Sequence, residues 1–132
     1  VSKGNTTEAD YIAFVFNGTA MPSYGTNLYV SLHTADPGEA GTGATSLADY
    51  TDYADVAVSR DGAGWTIAAN EAENTAEVTF PECTGGSNVI THASIHTIGG
   101  QILYSGALND PITISNLITP RFPAGTLVLQ ED

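Results

Sequence analysis

The spacing of apolar positions changes once along this chain, and the change divides it. Ile12, Val15 and Phe16 follow one another at helical spacing, with Ala9 on the same side. Thr7 is placed to cap the N-terminus, Glu8 and Asp10 fall in the positive first turn, and Asn17 and Gly18 offer a C-terminal stop. The pattern predicts one helix of about ten residues, short enough to need packing against the rest of the chain. After Met21 and Pro22 the period becomes two. Leu28, Val30 and Leu32 face one way and Tyr29, Ser31 and His33 the other, the alternation of a half-buried strand.

Further short strands are predicted over residues 54–60, 65–69, 77–80, 89–97, 101–105, 112–114 and 125–130. Gly99 and Gly100 give the clearest hairpin signal, because glycine tolerates positive φ. Residues 61–64 and 85–88 read as turns. A polar connection over residues 34–52 is long for a compact domain, which points to a functional or interface loop. Residues 1–6 are polar and read as a flexible arm, loose or ordered only on a partner. The expected organisation is that arm followed by one β-rich domain over residues 7–132. The expected fold class is all-β: a sandwich or jelly-roll-like barrel of about seven to nine short strands with one short N-terminal α-helix.

Composition narrows the function more than the fold. With 42% hydrophobic and only 14% charged residues, 132 residues can hold a real core. Fifteen acidic residues stand against Lys3, Arg60 and Arg121, for a formal charge of -12. Three scattered cations cannot build a face for naked nucleic acid or for an anionic membrane. Cys83 is alone, so no intrachain disulfide can form, and no apolar run is long enough to span a bilayer. No apolar signal core stands at the start, so the expectation is synthesis in a reducing cytoplasm.

Four sets of residues carry a family resemblance. They are the short helix; LYVSLHTADPGEAG at residues 28–41; NTAEVTFP at 74–81 followed by THASI at 91–95; and ILYSGAL at 102–108 closing with FPAGTLVL at 122–129. Together they are similar to a family of small tailed-bacteriophage virion proteins, labelled tail fibre or capsid decoration. The loop over residues 40–53 lies outside the resemblance. The family offers no catalytic motif and no cofactor. It implies a non-enzymatic structural protein on the outer surface of a virion. Because the chain is short, single-domain and acidic and lacks a long fibrous shaft, the expected role is capsid decoration (cement), as a homotrimer bound to the major capsid protein or another virion protein. The alternative is a tail-fibre or receptor-binding module for a host glycan or protein.

Candidate sites are few. His92 and His96 on one strand would lie about 13 Å apart, too far to share a metal ion, and read as exposed or subunit-facing. Asp49, Asp52 and Asp55 recur every three residues, without the ordered spacing of a hand-type calcium loop, and default to a solvated acidic loop. The glycines at 41 and 43 lack the ending of a phosphate loop, and residues 85–87 lack a nucleophile elbow. An enzyme such as a glycoside hydrolase would need a carboxylate pair that no motif locates. The residues put forward for interface or recognition are Tyr50, Tyr53, Asp49, Asp52, Trp65, His92 and His96, with Tyr50 and Tyr53 the better placed for surface recognition and Trp65 for core or interface. Attachment is expected to rest on apolar burial, with the carboxylates turned outward.

Overall fold

The computed structural model describes all residues, Val1–Asp132. In chain order the elements are β1 (Ser2–Lys3), α1 (Asn5–Asn17), β2 (Asn27–His33), β3 (Val56–Ser59), β4 (Trp65–Ala68), β5 (Glu71–Asn74), β6 (Val78–Thr79), β7 (Asn88–His96), β8 (Ile102–Ile114), β9 (Arg121–Phe122) and β10 (Val128–Gln130). A five-stranded sheet in the order β1-β8-β7-β2-β3 faces a three-stranded sheet, β10-β5-β4, and a two-stranded ribbon, β6-β9. Every pairing is antiparallel. The fold is an all-β sandwich with one short helix, as the period-two pattern implies, and it has ten strands where seven to nine are expected.

The core lies between the layers. Val30, Leu32, Ile90, Ile95 and Ile114 from the large sheet meet Trp65, Val78 and Phe80 from the other side, and Tyr50 and Cys83 complete the cluster. Strand β2 supplies Val30 and Leu32 through its alternation, with Leu28 partly buried against the same cluster. The other face of β2 departs from expectation: Ser31 and His33 are fully buried as well. The strand is covered on both sides, and a one-sided alternation does not announce that.

Three further differences have local causes. The strands expected over residues 101–105 and 112–114 are, from Ile102 on, parts of one strand, β8, which runs on as the partner of the bulged β7. Strand β5, with the sequence EAEN, has no β-branched or aromatic residue; it exists because a two-residue turn folds it onto β4, with Ala69 at φ 53°. At the turn after β7 only Gly100 takes positive φ, 89°.

Residues 1–6, expected as a loose arm, carry β1 on the edge of β8 and the first turn of α1. Lys3 Nζ meets Glu131 Oε2 at 2.8 Å, so opposite ends of the chain meet at that edge. Gly4, not Thr7, is the helix N-cap, and Thr7 Oγ1 donates to the Ile102 carbonyl at 2.7 Å. The C-terminal stop is where the sequence puts it, with Gly18 left-handed at φ 65°.

Candidate functional site

The register of the large sheet gathers all three histidines on one face. Tyr29 stands opposite His96, Ser31 opposite Ser94, and His33 opposite His92 on adjacent strands β2 and β7. Ser94 in turn pairs with Ser105 of β8, and Ser105 with Ser2 of β1, so a row of serines crosses four strands. This polar face is roofed by residues 34–55. The roof is held by Thr34 N–H to the Ser46 carbonyl (2.9 Å), Gly43 N–H to the Gly100 carbonyl (2.9 Å) and Ala48 N–H to the Leu32 carbonyl (2.9 Å). Gly43 is required by contact: a Cβ there would stand 2.6 Å from the His96 ring. The long polar connection, expected as an interface loop, is packed cover.

Under the roof the polar groups satisfy one another. His33 Nδ1 faces the Thr45 carbonyl at 2.7 Å, so Nδ1 carries the proton, and Nε2 accepts from the Ser94 hydroxyl at 2.7 Å. His96 Nδ1 donates to the Thr97 carbonyl at 2.7 Å, while Nε2 meets Ser31 Oγ at 2.6 Å and Asp55 Oδ2 at 3.3 Å. Asp55 Oδ1 accepts from the Tyr53 hydroxyl (2.8 Å), which itself accepts from Leu32 N–H (2.9 Å). The set includes a serine, a histidine and an aspartate, but not in a relay. Serine and aspartate meet the same ring nitrogen, whereas nucleophile activation needs them on opposite nitrogens. Ser31 is 0% exposed. The arrangement is a clamp between loop and sheet.

Burial and charge drive the two clamp histidines apart. Burial pushes His33 below its ordinary 6.5, against the opposing pull of the Thr45 carbonyl. Burial also works to lower His96, but the Asp55 carboxylate and the Thr97 carbonyl outweigh it and leave His96 raised. Asp55 is likewise opposed by burial, yet bonds from His96, Ser31 and Tyr53 hold it below its usual range. Stability from a lowered His33 is present above pH 6.5 and lost as pH falls through its folded value. Stability from a raised His96 is present below pH 6.5 and lost as pH rises through its folded value. Urea midpoints between pH 5 and 8 should therefore rise with pH in His96→Gln and fall with pH in His33→Gln. Parallel profiles in the two variants would show that these rings do not titrate differently.

The structure redistributes the expected recognition residues. Tyr50 is 3% exposed; its hydroxyl donates to the Pro81 carbonyl at 2.8 Å, and burial pushes its pKa up to about 12. Tyr53 packs edge-on against Tyr50 at 5.2 Å and stacks on Phe80. Neither tyrosine is a surface recognition group, because the roof that carries them folds inward. Trp65 lies in the core at 8% exposure. His96 is buried rather than exposed or subunit-facing; His92 is half-buried and bonds Thr91 Oγ1 at 2.8 Å. Asp49 and Asp52 do face solvent, but each is engaged: Asp49 Oδ1 accepts from Asn88 Nδ2 at 2.7 Å, and Asp52 accepts from the Thr84 hydroxyl. With Asp55 turned to His96, the three aspartates do not converge on a common point.

Two surface features stand outside those expectations. The first is α1. Tyr11, Ile12, Phe14, Val15 and Phe16 are each about half exposed or more, with Phe16 at 76%. Ile12, Val15 and Phe16, read as an inward stripe, do not pack on the body. The signal in the sequence is that residues 11–16 are apolar nearly all round, whereas a surface helix carries one stripe. The second is a cleft of about 450 Å³ walled from the five-stranded sheet by Leu28, Leu103 and Tyr104 and from the three-stranded sheet by Trp65, Ile67 and Leu129, with Arg60 and Asp61 its charged residues. Arg60 Nε donates to the Gly25 carbonyl at 2.6 Å, and Asp61 accepts from Ser59 and the Ala63 N–H.

No helix of the chain is long and apolar enough to cross a membrane. A sequence model of the family described as podophage GP4 fiber I protein gp80 matches residues 2–130. No curated protein matches the sequence.

Proposed function

Since the chain belongs to the podophage GP4 fiber I protein gp80 family, and so to the structural proteins of phage virions, we propose that it is a fibre module of the tail, there to meet the host surface. The family match across residues 2–130 carries this reading. It favours the tail-fibre alternative over capsid decoration, because the family's own description names a fibre. The fold supports a binding role over a catalytic one. Its Ser-His-Asp contact is sealed beneath a loop and lacks the relay geometry. Recognition of a host glycan or protein then falls to exposed side chains, not to Tyr50, Tyr53 or Trp65.

The test is localisation on the particle, paired with competition. Antibody against the chain should label the tail region of intact virions, and the purified chain should slow adsorption of the phage to its host. Label distributed over the head would reverse the choice in favour of decoration. Tail label without competition would keep the fibre role and remove host recognition.

A further inference from the structure

We propose that the cleft between the two sheets binds a monomeric carboxylic acid with an apolar body, of the fatty-acid kind, its chain held between the layers and its carboxylate at Arg60. The first observation is where the sandwich parts. Trp65 and Ile67 of β4 are two residues apart and point to the same face. Trp65 is 8% exposed, but Ile67 is 68% exposed. The register sets Ile67 beside Ala72 of β5 and Ala72 beside Leu129 of β10, so an apolar row crosses all three strands of the small sheet. Across the cleft stand Leu28 and, paired between β7 and β8, Ile95 and Tyr104. Packed sheets lie about 10 Å apart with their side chains interlocked. Here the layers close over Trp65 and leave about 450 Å³ beside Ile67.

The second observation is the lining. The cleft continues the core, since Leu28 and Leu129 pack against the core cluster. Its volume falls in the range of about 300–1,000 Å³ that small-molecule sites occupy. Its walls are aliphatic and aromatic, without the spread of polar groups that a sugar would need. An apolar guest gains by leaving water, and it covers surface that the two sheets leave wet. One wall residue also lacks an acceptor: the Trp65 indole N–H is buried and has no hydrogen-bond partner in the protein. A buried donor left unpaired costs free energy.

The third observation selects an acid. The ion pairs of the chain join Lys3 to Glu131 and His96 to Asp55, so Arg60 is paired with no carboxylate. Its Nε is held by the Gly25 carbonyl, which fixes the guanidinium and leaves its other donors unclaimed. Asp61, beside it, is engaged within its own turn, accepting from Ser59 Oγ and from the N–H groups of Ala63 and Gly64. A carboxylate only accepts hydrogen bonds, so it suits two donors, the free side of Arg60 and the unpartnered Trp65 indole. An ammonium group would bring further donors and a like charge to Arg60. A free acid is favoured over an acyl chain still held in a bilayer, because a chain of formal charge -12 is repelled by an anionic lipid surface.

Titration of the purified chain with decanoate, decanol and decylamine, each below its micelle concentration, tests this without the particle, so a wrong tail assignment would leave it standing. Trp65 is the single tryptophan, and its emission reports the cleft wall. Decanoate should shift that emission saturably and raise the urea midpoint as its concentration grows. It should bind about fivefold more tightly than decanol, the scale of a solvent-facing ion pair, and its lead should fade in high salt. Decylamine should bind more weakly than either. Arg60→Gln should bring the acid down to the alcohol, and Ala72→Phe should fill the cleft and abolish binding of both. If Ala72→Phe loses the native far-UV spectrum, Ile67→Glu supplies the answer from an exposed position: its carboxylate should weaken decanoate and favour decylamine. No saturable shift with decanoate would overturn the proposal, as would equal affinity for acid and alcohol at low salt. So would decanoate binding unchanged in both Arg60→Gln and Ile67→Glu. Should phosphatidylglycerol vesicles bind the chain while decanoate does not, the occupant is a lipid surface and the proposal falls.

Discussion

Phe80→Ala should cost the fold roughly 3–5 kcal/mol, the range for emptying an aromatic site in a core that relaxes only partly. Phe80 is 1% exposed and lies where the two layers and the roof meet. It stacks on Tyr53 at 6.2 Å and meets Phe122 edge-on at 6.1 Å. Its N–H is also bound to the Pro120 carbonyl at 3.0 Å, so the backbone is not free to close over the void. Against a total of about 5–15 kcal/mol for an ordinary domain, such a loss takes a large share of the stability. Denaturant titration followed by Trp65 emission would measure it. Val89→Ala, at a half-exposed position, is the control and should move the midpoint by about 0.5 kcal/mol or less. A Phe80→Ala loss as small as the control's would place that ring outside the core.

Asn74→Ala should cost roughly 2–4 kcal/mol by a different route, since buried polar groups left without partners carry their full desolvation penalty. Asn74 is 1% exposed at the end of β5. Its amide nitrogen donates to the carbonyls of Ala76 (2.8 Å), Pro123 (3.1 Å) and Phe122 (3.3 Å), and its oxygen accepts from Leu127 N–H at 2.9 Å. One side chain thus ties the approach to β6 to the segment between β9 and β10. Asn74→Asp separates the two halves of the role. It keeps the acceptor for Leu127 but sets a carboxylate against three carbonyls, so its defect should shrink as acid protonates it. Equal stability of Asn74→Ala and the native chain in a denaturant series would show that water serves these groups as well.

What could be read in the sequence was whatever depends on a local period. The alternation at residues 28–33, the run that becomes β7 and the glycine stop of α1 all describe a few neighbouring residues, and all appear in the structure. Pairing across the chain has no such local signature. EAEN becomes a strand because β4 folds back onto it, and Ser2–Lys3 becomes one because the edge of β8 is open to it. The candidate site failed for the same reason. Tyr50 and Tyr53 sit among aspartates, and local polarity reads as a wet loop. Yet the loop crosses a sheet face whose buried serines and histidines need hydrogen-bond partners, and it supplies them. Two polar alternations, Tyr29/Ser31/His33 and His92/Ser94/His96, did hold a clue. Paired face to face, they make a surface too polar to be a second core and too well matched to be left to solvent.

The clamp beneath residues 34–55 also bears on how the chain would withstand digestion. A protease needs a cleavable stretch to leave the body, and loops without regular structure are usually the first to do so. Here the longest such loop is fastened to two buried imidazoles and to the backbone of β2. Cleaving it requires the sheet face to open, so its lifetime follows that of the whole sandwich. The short exposed passage over residues 18–23, between α1 and β2, has no comparable fastening to His33 or His96. Under digestion the weak point of the chain would be the joint behind its helix, and the acidic loop would be among the last parts to be cut.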